Sequence, residues 1–152
     1  MTGFSRLLIL TSSTLAIGLT VPLTASAAEM TMAIQADTVL GVQCVQSNQF
    51  KHNDPIVWRA RVLNTATGEP MAADALTSVV VQLPDGTNLQ AHYGDHPPQK
   101  STDSFWSVRW PVPKDYPTGT FTYKIVATSK DGKTTTYEPF KVATSQLTIA
   151  AN

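Results

Sequence analysis

The eighteen residues from Asp115 to Gly132 constrain the fold more than any other part of this chain, because they spell a turn, a half-buried strand and a second turn in succession. Phe121, Tyr123, Ile125 and Ala127 alternate with Thr122, Lys124, Val126 and Thr128, the period-two pattern of a strand with one face on a core. Pro117 and Gly119 punctuate its start, and Ser129, Lys130, Asp131 and Gly132 are residues that reverse a chain at its end. The same grammar recurs on both sides. Pro55 to Leu63 sets Ile56, Trp58, Ala60 and Val62 against Val57, Arg59, Arg61 and Leu63, and Ser104 to Trp110 sets Trp106, Val108 and Trp110 against Phe105, Ser107 and Arg109. Pro84, Asp85 and Gly86 join Ser78–Leu83 to Thr87–Tyr93 as a hairpin, since proline fixes the first turn residue and glycine admits the left-handed one.

Further strands are expected at Val39–Val45, Thr134–Val142 and Gln146–Ala150, with Thr65 to Pro70 as a turn and Gly94 to Asp103 as the longest loop. No segment after residue 27 repeats apolar residues at helical spacing over two turns without a Pro, Gly or Thr cluster intervening. Short strands separated by turns every eight to twelve residues or so are the mark of an all-β sandwich or barrel.

The amino terminus reads differently. Arg6 precedes an apolar run from Leu7 to Leu23, and Ala25-Ser26-Ala27 offers small residues where a signal peptidase cuts. Residues 1–27 are therefore expected to be a cleaved signal peptide, 28–38 an N-terminal arm, and 39–152 a single β domain. Export to a periplasmic or extracellular compartment follows. Eleven Lys and Arg balance eleven Asp and Glu, which favours neither nucleic acid nor an anionic membrane as partner. Cys44 is the single cysteine, so the core has to hold without an internal disulfide. Its expected place is as a small buried apolar side chain, with an intermolecular disulfide or a reactive thiol as the alternatives.

Asp115 to Gly132 resembles the penultimate hairpin of bacterial immunoglobulin-like and fibronectin type III-like domains, where an acidic residue, a Pro-x-Gly turn and an aromatic-x-aromatic strand recur. The resemblance extends over the chain after its leader. It implies an immunoglobulin-like antiparallel β-sandwich of about seven to eight strands, with Tyr123 or Phe121 in the corner-tyrosine region. The inter-sheet cysteine pair is missing, which excludes an antibody-type domain and leaves Trp58, Trp106 and Trp110 as core anchors. The role is left open, because such sandwiches serve as spacers, adhesion modules, chaperones and carriers.

Chemistry is sparse in this sequence. No serine sits in a Gly-x-Ser-x-Gly elbow, and Asp85, Asp95, Asp103, Asp115 and Asp131 are expected at turns, capping backbone N–H groups rather than forming a catalytic pair. The expectation is a protein that is not an enzyme and uses no cofactor. Candidate metal ligands are His52, His92, Asp95, His96, Cys44 and the methionines, with Met30 and Met32 soft enough for copper(I). A periplasmic copper carrier using His92, His96, Met30 and Met32 is the alternative reading. The leading one is an exported binding or assembly module for another protein. If the tryptophans face the core, Arg59, Arg61, Phe105 and Arg109 face outward, and arginine with aromatics is what partner surfaces favour.

Overall fold

The computed structural model describes residues 31–151, and no helix occurs among them. The expected leader and Met30 lie outside the described residues. Twelve strands follow in order: β1 (Met32–Leu40), β2 (Val45–Gln46), β3 (Gln49–Lys51), β4 (Pro55–Asn64), β5 (Leu76–Gln82), β6 (Asn88–Gln90), β7 (His92–His96), β8 (Asp103–Pro111), β9 (Gly119–Phe121), β10 (Lys124–Ser129), β11 (Thr134–Tyr137) and β12 (Leu147–Ala150). They form a five-stranded sheet in the order β2-β1-β4-β8-β7, a four-stranded sheet β11-β10-β5-β6, and a three-stranded sheet β3-β12-β9. Pairing is antiparallel throughout except between β12 and β3.

Alternation decides which face of each sheet is buried. On β4, Ile56, Trp58, Ala60 and Val62 are all buried while Val57, Arg59, Arg61 and Leu63 are only partly so. In the four-stranded sheet, Val79 and Val81 on β5 pair beside Ala127 and Ile125 on β10, and all four are buried. Burying a side chain of the size of Val or Ile contributes roughly 1.5–3 kcal/mol, so two apolar faces of this length suffice to hold the layers together without a disulfide. Trp58, Trp106, Val62, Tyr123 and Ile125 are in this core, whereas Trp110, Val108 and Phe121 pack against it partly exposed. Tyr123 sets its ring edge-on to Trp58 at 5.9 Å between centroids.

The turns form as their residues dictate. Leu83 N–H donates to Thr87 O at 2.9 Å across the Pro84-Asp85-Gly86 reversal, where Gly86 takes a φ of 89° that a side chain would oppose. Asp85 accepts from the Thr87 N–H, and Asp131 accepts from the Ser129 hydroxyl, both as turn aspartates.

Several boundaries differ from the reading of the sequence. Most of the expected N-terminal arm is strand: β1 starts at Met32 and pairs with β4 over nine positions, from Met32 opposite Asn64 to Leu40 opposite Ile56. Its Gln, Ala, Asp and Thr residues carry little strand signal, and the long partner supplies what propensity lacks. The expected strand Val39–Val45 is the end of β1, a turn, and the start of β2. Cys44 sits in that turn with a φ of 54°, and its side chain is exposed rather than buried.

Two continuous alternating runs change sheets midway. Thr87–Tyr93 divides at Ala91, whose N–H donates to Val79 O at 2.8 Å, so β6 pairs with β5 while β7 pairs with β8. The run from Gly119 divides between Phe121 and Lys124, β9 pairing with β12 and β10 with β5 and β11. Strand β11 ends at Tyr137, short of the expected Val142, because Pro139 has no N–H to continue a ladder. The loop expected from Gly94 contracts to residues 97–102, since Gly94, Asp95 and His96 belong to β7. Asp95 and Asp103 are accordingly strand residues, not turn caps.

Candidate functional site

The register of the five-stranded sheet gathers one set of side chains on its outer face. Val57 on β4 stands opposite Arg109 on β8, and Arg59 opposite Ser107, so the odd-numbered residues of both strands share a side. Strand β1 places Asp37 opposite Arg59 and Gln35 opposite Arg61. Strand β7 adds His92, Gly94 and His96 opposite Ser107, Phe105 and Asp103. Arg59, Arg61, Phe105 and Arg109 thus lie on one face, away from the buried Trp58 and Trp106.

Their charges are not free, however. Arg59 grips Asp37 in a bidentate fork, Nε donating to Oδ1 at 2.8 Å and Nη2 to Oδ2. Arg61 Nη2 donates to Asp103 Oδ2, while Asp103 Oδ1 accepts from the Ser104 N–H at 2.8 Å. Three outward arginines on their own lead to the expectation of a cationic patch, and with Asp37 and Asp103 beside them the face is instead zwitterionic. Only position, not charge, was legible in β4 and β8, because the balancing carboxylates come from a segment read as an arm and a residue read as a turn.

Aromatic contacts run through the same face. The Arg59 guanidinium carbon lies 5.9 Å from the centre of the Phe105 ring, within cation–π range, and His96 packs on Phe105 at 5.2 Å between centroids. A Cβ at Gly94 would meet nothing within 4 Å, so the ground between Phe105 and the sheet edge is open. Between the two ion pairs runs an open groove of about 320 Å³ lined by Gln35, Asp37, Arg59, Arg61, Asp103 and Phe105, with Ala36 and Ala60 at its base. Arg109 lies beyond its end, exposed and without an ion-pair partner among the described residues.

The electrostatics follow from these contacts. Its hydrogen bond to Asp37 holds the Arg59 guanidinium even more firmly protonated than usual, against some desolvation. The Ser104 N–H, then Arg61, lower the Asp103 carboxyl below the ordinary carboxylate range. A group held ionised in this way binds charge and does not trade protons near neutrality.

Unequal consequences are expected for the two outer arginines. Arg59→Ala leaves the Asp37 carboxylate, about a quarter exposed, without its fork, and should cost about 1 kcal/mol in urea denaturation. Arg109→Ala, exposed and unpaired, should stay within about 0.5 kcal/mol of the parent.

The metal candidates do not converge. His92 and His96 are four residues apart on one strand, about 13 Å along it, too far to share an ion. Met32 begins β1, three strands away from β7 across the sheet, a spacing of roughly 14 Å. His52 is 2.8 Å from Tyr116 O through Nε2, tying the β3–β4 turn to the loop after β8. Among the described residues no cluster of three or more His, Cys, Asp or Glu is placed to hold a metal ion.

Of this face, Gln35 and Asp37 were read as part of an arm, Asp103 as a turn cap and His96 as a metal-ligand candidate, so none of the four was placed here from the sequence. The weak alternation of Met32, Ile34 and Ala36 with Ala33, Gln35 and Asp37 is the signal that would have extended β1 and put Asp37 beside Arg59. No family model matches the chain, and no curated protein matches it. Among solved structures it is similar to a DUF4426 family protein from Pseudomonas aeruginosa, at 11% sequence identity and a TM-score of 0.42, over 70% of this chain and 84% of that one.

Proposed function

We propose that this chain is an exported, non-catalytic immunoglobulin-like β-sandwich that binds another protein through the outer face of its five-stranded sheet. The carrying observation is the groove flanked by the Asp37–Arg59 and Arg61–Asp103 pairs, with Phe105 exposed enough to be touched and braced by Arg59 and His96. Arginine and aromatic side chains held in place before contact lose little entropy on binding, which is why they recur as energetic centres of interfaces. Both groove carboxylates are already engaged by arginines, which suits recognition of a polar partner. The Ala25-Ser26-Ala27 site after the apolar run supports export.

Testing uses an immobilised preparation of the protein and an extract of its own host. Phe105→Ala together with Arg61→Ala should leave the unfolding midpoint nearly unchanged and weaken recovery of the specifically captured protein at least tenfold, equivalent to about 1.4 kcal/mol. Undiminished capture by a folded double variant would move the binding surface off this face.

A further inference from the structure

The large apolar side chains that stand exposed among the described residues fall on two segments. Val42 and Val45, 70% and 59% exposed, belong to the turn between β1 and β2 and to β2 itself, and Phe140 and Val142, 82% and 53% exposed, to the loop between β11 and β12. The segments are neighbours. Asn48, two residues past β2, donates its side-chain N–H to Ala143 O at 2.8 Å and to Gln146 O at 3.2 Å. Gln46 shares a small cleft with Thr144 and Ser145. The two segments therefore bring exposed apolar side chains to one end of the molecule, and none of the four lines the groove proposed above.

We propose that this end is where two copies of the chain associate, about a two-fold axis that sets the turn of one copy against that of the other. Charge is the first argument. A two-fold axis sets a patch against itself, so a patch bearing several charges of one sign would repel its copy; no charged residue occurs from Thr38 to Phe50, and the segment around Phe140 carries one of each sign, Glu138 and Lys141. Strand β2 is also the outermost strand of the five-stranded sheet and carries no lysine, proline or charge, its two-residue length being the one guard on that edge.

Area is the second argument. The four side chains expose roughly 400 Å² of apolar surface, as much as the largest patch of an ordinary monomer. A stable pair needs about 800 Å² from each partner, a good part of it polar rim. Gln43, Gln46 and Thr144, exposed polar residues of the same two segments, are available to supply that rim. A lipid surface fits less well, since anionic bilayers recruit several basic residues and Lys141 is the lone cation of the two segments.

Cys44 gives the arrangement a reporter, being exposed between Val42 and Val45. The experiment uses the protein as purified from cells, kept reduced. Sedimentation from low to high micromolar concentration should show a reversible dimer, and a short-armed bismaleimide should link two copies through Cys44. Cys44→Ser should abolish the link while leaving the dimer. Val45→Asp with Phe140→Asp should weaken the dimer at least tenfold, folding being verified by tryptophan emission. A monomer at every concentration overturns the proposal. So does a dimer indifferent to the aspartates or unlinked by bismaleimide, which places the contact elsewhere, and so does a monomer that binds phosphatidylglycerol vesicles through Phe140.

Discussion

A chain ended at Gln146 is expected not to fold. The four residues of β12 bury Leu147 and Ile149 almost completely and pair with two strands that have no other partner, β3 on one side and β9 on the other. Thr148 N–H donates to Asn48 O at 2.7 Å, and Phe50 in β3 is itself 2% exposed. Trimming one buried Leu or Ile to alanine costs about 2–5 kcal/mol, so losing two with their strand is comparable to the 5–15 kcal/mol that holds a typical domain together. Far-ultraviolet circular dichroism of the shortened chain should lack the strand signal, and urea should produce no cooperative transition. A sigmoidal transition at the parent midpoint would mean that the three-stranded sheet is an accessory rather than part of the core.

That sheet also shows where reading a sequence stops. Gln146–Ala150 alternates visibly, so the strand could be placed within a residue of its observed start. Its neighbours could not, because β3 is only three residues long and lies parallel to it. Periodicity reports which face of a strand is wet and says nothing about which chain lies alongside. The same limit explains the two runs that change sheets. Phe121, Tyr123 and Ile125 keep one alternation while the partner changes from β12 to β5 and β11, since the side chains continue to face a common core.

The outer face was legible for the same reason and failed at the same point. Trp58 and Trp106 reveal by alternation that Arg59, Arg61, Phe105 and Arg109 point away from the core, and the register confirms a shared side. What a strand's own residues cannot reveal is the neighbour supplied by another strand. Asp37 comes to Arg59 from twenty-two residues away and Asp103 to Arg61 from forty-two, and these pairs turn an expected cationic patch into a balanced one. Cys44 went astray for a local reason. A lone cysteine, small and apolar, is expected to be buried, but Gly41 begins a turn there, and a turn at a sheet edge exposes what it carries.

Trp58→Ala should be the costliest single substitution in the chain, at about 3–5 kcal/mol in urea denaturation. The indole is 1% exposed at the centre of β4, and its ring lies 6.1 Å from Trp110 and 5.9 Å from Tyr123 between centroids. Two aromatic contacts of that kind add roughly 0.5–1.5 kcal/mol each beyond burial, and no neighbour in a close-packed interior can slide in to refill the space. Replacement by phenylalanine separates packing from hydrogen bonding. Trp58 Nε1 is buried and finds no acceptor among the described residues, whereas Trp106 Nε1 donates to Met71 O at 2.9 Å. Trp106→Phe leaves that buried carbonyl without its donor, a loss of about 1–3 kcal/mol, while Trp58→Phe removes a donor that satisfied nothing. The phenylalanine variant at Trp58 should therefore be the milder of the two although its indole is the more deeply buried. The reverse order would mean that Trp58 holds its strand through a polar contact and not through ring packing alone.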